Sequence, residues 1–195
     1  MSATEDTRDE APPSRPLVEP LPFIIVGGIG LTAIAAMVLS LFRPLAIPAI
    51  VSQDFMKVAG AVLNVDVAQS DPGLLTSSLA DREPSVAGVH VPDLRPRGFS
   101  LLGGRARAIR GSPGVLAIYR NSMQELLVWQ AYVGQLTDLP ATTDVRDHGG
   151  RHYVIHRKAS HILVFWQQGP HVQVITASLP AEQVVSLAYA TEGAP

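Results

Sequence analysis

The chain has 195 residues, a formal net charge of −2, no cysteine, and 47% hydrophobic residues with a mean hydropathy of +0.21. Without cysteine there are no disulfides, thiolate metal sites or cysteine nucleophiles. The near-neutral charge gives no nucleic-acid pattern, and the excess hydropathy calls for an apolar segment to account for it.

The charge is unevenly placed. Residues 1–21 and 44–92 are each net −3, whereas 93–195 is net +3. Residues 1–20 are acidic, proline-rich and small; they offer no apolar face to offset the entropy of ordering, and a disordered tail is predicted.

Phe23 to Phe42 is a run of 20 residues without one charge, within a segment 21–43 bounded by Pro22 and by Arg43-Pro44. At about 1.5 Å per residue it matches the roughly 30 Å hydrocarbon core of a bilayer. It shows no polar stripe of the kind a soluble helix keeps. A transmembrane helix is predicted. The rival is a cleaved signal peptide, which wants a basic start and a shorter apolar core; here the start is acidic and long, which favours an uncleaved signal-anchor. Gly28, Thr32 and Ala36 fall at spacing four within the run. Small residues on one face suit a helix–helix contact, although glycine and alanine are common in membrane helices anyway. Arg8 and Arg15 on one side and Arg43 and Lys57 on the other leave the orientation undecided by charge.

Residues 44–92 read as a juxtamembrane helix and linker. Val51, Phe55, Val58, Ala59, Val62 and Leu63 follow helical spacing, so a helix is predicted over 50–63, lying at the membrane interface or packing on the following domain. Residues 64–92, punctuated by Asp71-Pro72-Gly73, Glu83-Pro84 and Pro92, read as linker with a short helix around Leu74–Leu79.

From Asp93 the pattern changes to short alternating runs. Gly103-Gly104 reads as a turn, Arg105–Arg110 as an edge strand, and Val115–Arg120 and Glu125–Val133 as strands around Asn121-Ser122. Asp147–Gly150 reads as a turn, His152–His156, Ile162–Gln167 and Val172–Ala177 as strands, and Pro180–Tyr189 as a helix with Glu182 in its first turn. The expected fold is α+β: one transmembrane helix, a juxtamembrane helix, and a small antiparallel domain over 93–190 of about six strands in a meander with a C-terminal helix. Residues 191–195 are a tail.

Pro92-Asp93-Leu94, then Gly98-Phe99-Ser100-Leu101-Leu102-Gly103-Gly104-Arg105 and Val115–Tyr119, resemble the extracytoplasmic C-terminal domain of membrane-spanning anti-sigma factors. So do the strand ending in Trp166, the Gly169 turn, Leu179-Pro180-Ala181-Glu182 and Leu187-Ala188. The resemblance covers about half the chain, 93–190. It implies a tail in the cytoplasm and a β domain in the periplasm of a bacterial inner membrane. Family members bind their sigma factor through an N-terminal helical domain, often with a His and Cys zinc site; the N-terminal side here has about twenty residues and no cysteine.

The six histidines, His90, His148, His152, His156, His161 and His171, all follow the apolar run. His152 and His156 on one strand would lie about 13 Å apart, too far for one metal, and no acidic or thiolate partner sits at ligand spacing. They read as polar strand positions, and no metal is expected. Arg95, Arg97, Arg105, Arg107 and Arg110 make five arginines in sixteen residues, with Arg105 and Arg107 on one strand face. Arg95, Arg97, Arg105 and Arg107 are read as contacts for an acidic partner surface or anionic lipid headgroups, or alternatively as a solvated edge strand guarded by charge. Neither a phosphate loop nor a nucleophile elbow nor a carboxylate pair is found, so no cofactor and no catalytic residue is assigned. The expected function is a non-catalytic accessory subunit of a larger bacterial membrane complex, its partners being other integral membrane subunits and not nucleic acid. The alternative is a membrane-anchored regulator of anti-sigma type without the zinc domain.

Overall fold

A computed structural model describes residues 45–191, which form an α+β unit with a seven-stranded antiparallel sheet and three α-helices. The predicted transmembrane run, with Gly28, Thr32 and Ala36, lies outside the described residues. No described helix is long and apolar enough to cross a membrane.

The helices are α1 (Ile47–Ala59), α2 (Pro72–Arg82) and α3 (Ala181–Ala190). The strands are β1 (Phe99–Ala106), β2 (Gly114–Asn121), β3 (Leu126–Val133), β4 (Val145–His148), β5 (Arg151–Arg157), β6 (Ile162–Gln168) and β7 (His171–Ala177). They lie in the order β1-β2-β3-β7-β6-β5-β4. The expected single meander is thus two meanders, β1–β3 and β4–β7, joined where β3 pairs with β7 from Leu127↔Ala177 to Val133↔His171.

Side chains alternate across a strand, and both faces of this sheet are covered. Ala117, Tyr119, Leu127, Trp129, Tyr153, Val164, Trp166 and Ile175 point to one side, packed with Leu75 and Leu79 of α2 and Val184, Val185 and Leu187 of α3. Leu163, Phe165, Val172 and Val174 point to the other, against Ile47 and Val51 of α1. Phe55 of α1 packs there on Leu116, Ile118 and Val128.

Helix α1 starts three residues earlier than predicted and stops at Gly60, followed by Ala61 at φ +54°. Proline in its first turn lacks only a donor that would have no helical partner. The predicted linker is part of the folded unit. Asp71 caps α2 by accepting a hydrogen bond from the Leu74 amide at 2.9 Å. Val86, Val89 and Val91 are buried in the main core, and the buried Tyr119 hydroxyl donates to the Pro92 carbonyl at 2.7 Å.

Gly103-Gly104 is no turn but the middle of β1, where the register with β2 slips between Leu101 and Gly103. Gly103 has φ +143°, and a Cβ there would lie 2.3 Å from the Val67 carbonyl oxygen. Gly103 is glycine so that Val67 can cross close to β1, bonded to Gly104 in both directions at 3.0 Å, and a Cβ at Gly104 would lie 2.6 Å from the Leu116 carbonyl oxygen. As a result β1 starts at Phe99 and ends at Ala106, and Arg107–Arg110 lie beyond it. The seventh strand, β4, occupies residues partly read as a turn; the true turn is Gly149-Gly150, both at positive φ (+56° and +77°), as a two-residue hairpin loop favours.

Candidate docking surface

The four predicted contact arginines separate into different environments. Arg95 and Asp93 form an exposed pair, Nη2 to Oδ2 2.7 Å and Nε to Oδ1 2.8 Å. The hydrogen bond from Arg95 holds the Asp93 carboxyl below its ordinary value, and such exposed pairs contribute little to stability. Arg97 is exposed on the short 3-10 turn before β1 and has no ion pair among the described residues. Arg105 lies 3.6 Å from Asp66.

Arg107 corrects the expectation that it shares an outward strand face with Arg105. It lies past the end of β1, and its guanidinium grips Asp54 of α1 through two hydrogen bonds, Nε to Oδ2 and Nη2 to Oδ1, both 3.0 Å. Asp54 is 1% exposed. A buried carboxylate needs such a partner, so this arginine is committed inside the domain. The sequence carried one sign of it: Asp54 falls next to Val51 and Phe55 on the apolar face of the predicted helix.

The histidines do not converge. His148 stacks on Tyr189 with ring centres 4.0 Å apart, His152 bonds to Asp147, and His156 meets Phe165 edge-on at 5.6 Å. His161 is buried, with Nε2 2.8 Å from the Ser52 hydroxyl and its ring 4.9 Å from Phe55. Burial, and then Lys158, pushes the His161 imidazole below its ordinary pKa. Among the described residues no three His, Asp or Glu side chains could hold a metal ion.

What the surface does offer is a sheet edge. β1 is an outer strand, bridged on its free side at Gly104 by Val67. Its first half, Phe99–Leu102, is flanked there by no strand among the described residues. Phe99 and Leu101 point into the main core while Ser100 and Leu102 point out, with Leu102 39% exposed. Beside them lies an apolar groove of about 210 Å³ lined by Val58, Leu63, Val65, Leu102, Ile118 and Leu126. A second cleft, of about 440 Å³, shares Leu102 and Arg120 with it and runs on past Ser100 and Asn121. Arg120 places a cation in the lining of both. Sequence reasoning missed this edge because it placed the strand at 105–110, beyond the glycine pair. No family model matches the chain, and no curated protein matches it either.

Proposed function

We propose that the chain is a non-catalytic accessory subunit of a larger bacterial inner-membrane complex. Its apolar run anchors it with a single pass, its N-terminal tail lies in the cytoplasm, and the α+β unit docks a partner subunit in the periplasm. The observation that carries this reading is the Ser100–Leu102 stretch of β1, just past the Phe99 amide that donates to the Leu94 carbonyl at 3.1 Å, which no strand among the described residues flanks on its outer side. An unpaired strand edge beside an apolar groove can take an extended segment of another chain, with backbone hydrogen bonds giving affinity and the groove taking its side chains. Arg120, which lines both the groove and the cleft beside it, favours an acidic segment. The second reading, a regulator of anti-sigma type, is favoured by the Pro92–Leu94 and Gly98–Arg105 residues.

Gentle detergent extraction tests the first reading. The chain is expected to co-purify with larger integral membrane subunits in fixed stoichiometry. Leu102→Lys, which places a charge in the groove mouth, is expected to cut recovery of those subunits at least tenfold with the fold intact by circular dichroism. Unchanged recovery with Leu102→Lys sinks the edge as the docking site. Capture of a cytoplasmic regulator by residues 1–22 would support the second reading instead.

A further inference from the structure

A cleft of about 330 Å³ opens beside the first residue of α1, lined by the polar groups of Arg110, Ser112, Tyr132 and Asp138 and the apolar side chains of Ile47 and Val133. Ligand sites run from about 300 Å³ upward, so it suits a small headgroup.

The backbone at Arg110, the Tyr132 ring and the Asp138 carboxylate are each constrained. Arg110 sits at φ +52° in a tight turn closed by reciprocal Ile109 and Ser112 backbone bonds of 2.9 Å. Tyr132 is 2% exposed, and its buried hydroxyl has no partner among the described residues. Burial, and then the charge of Asp138, raises the phenol pKa, so it stays protonated and can donate. Gly134 packs against that ring; a Cβ there would stand 2.9 Å from Tyr132 Cε2. Asp138 accepts from the Gln135 amide with Oδ2 at 3.1 Å. The lining therefore brings together one cation, one anion and two hydroxyl-bearing side chains.

Ile47 and Val133 give the lining apolar side chains, and Leu45 comes two residues before Ile47. Leu45 is 51% exposed and Val133 40%. Ile47 follows Phe42, the end of the apolar run, by five positions, with four residues between them.

We propose that this cleft binds the headgroup of a phospholipid bearing both a phosphate and a primary ammonium, as phosphatidylethanolamine does. The phosphate takes charge-assisted bonds from Arg110 and donors from Tyr132 and Ser112. The ammonium donates to Asp138, and the acyl chains leave past Leu45 and Val133. Opposite charges in one cleft select a zwitterion over a purely anionic headgroup, because the latter leaves Asp138 facing like charge. This rests on the membrane-anchored reading above.

The full chain, held in amphipol, is titrated with dihexanoyl phosphatidylethanolamine, its choline and glycerol counterparts, and O-phosphoethanolamine, with binding read by calorimetry. The ethanolamine lipid is expected to bind at least tenfold more tightly than the choline lipid, whose methylated nitrogen cannot donate to Asp138, and than the glycerol lipid. It should also bind at least tenfold more tightly than O-phosphoethanolamine. Arg110→Asn, which keeps the left-handed backbone, and Tyr132→Phe, which removes only the hydroxyl, are each expected to weaken it three- to tenfold. Equal affinity for the three lipids, or unchanged affinity in both variants, overturns the proposal. Equally tight binding of O-phosphoethanolamine also overturns it, by making the ligand a free phosphate ester. Release of the chain from membranes by alkaline carbonate would overturn the anchor alone, since the titration reads the cleft without a bilayer.

Discussion

Asp54 is the residue on which the second face of the sheet turns. It projects from the apolar side of α1 into a core that also holds Gln130, 0% exposed, whose amide has no partner among the described residues. On that face the apolar contacts form two clusters, one around Ile47 and Val51 and one around Phe55. Removing one member of a buried ion pair strands the other, at a cost of about 3–5 kcal/mol when both are fully buried. Arg107 is 34% exposed and can turn to water, so Asp54→Ala is expected to cost about 2–3 kcal/mol. Urea denaturation of the full chain reads this as a lower midpoint. An Asp54→Ala, Arg107→Ala double variant should lose less than the sum of the single losses, because the two act as a unit. Half of this pairing was legible beforehand, in a carboxylate on an apolar helix face. Its partner, 53 residues away, was not: nothing local marks which arginine leaves the strand.

At the scale of elements, α1 is pinned to the sheet at two polar points, Asp54–Arg107 and Ser52–His161. The second makes stability depend on pH. Burial holds the imidazoles of His156, His161 and His171 below their ordinary value. The unfolded chain therefore binds protons near pH 6.5 that the folded chain refuses. Stability present above that pH falls as the pH drops through it, and levels off once the folded-state pKa values are passed. Urea midpoints at pH 8 and pH 5 should show the fall, and His161→Gln, which keeps a partner for Ser52, should make it smaller. Five of the strands and the C-terminal helix were readable from apolar alternation and turn residues. β4 was not, because Val-Arg-Asp-His carries the charge that protects an edge strand and so resembles a loop. β1 was displaced because its glycines serve a close backbone approach, which has no sequence mark distinct from a turn.

At the scale of the whole molecule, the segment before Asp93 is structural. Val51, Phe55, Leu75, Leu79, Val86, Val89 and Val91 are all buried. At about 1.5–3 kcal/mol each, these seven contribute roughly 10–20 kcal/mol, as much as the 5–15 kcal/mol net stability of a whole domain. A chain shortened to 93–195 is therefore expected to lack a cooperative thermal transition by circular dichroism, while 45–195 keeps one. A cooperative transition in the shorter chain would mean that the sheet holds without α1 and α2. Composition placed the β-rich region correctly but not its extent, because proline-punctuated runs look like linker until the core they fill is known.

The junction of β3 with β7 also sets a schedule. The last strand of the first meander, β3, finds its second neighbour only among residues 171–177. A ribosome adding residues from the N-terminus leaves Leu126–Val133 as an open, apolar rim until residues 171–177 have been made. Whatever guards the nascent chain must shield that rim until β7 emerges, and a transcript cut short anywhere before β7 yields a product that cannot close its sheet.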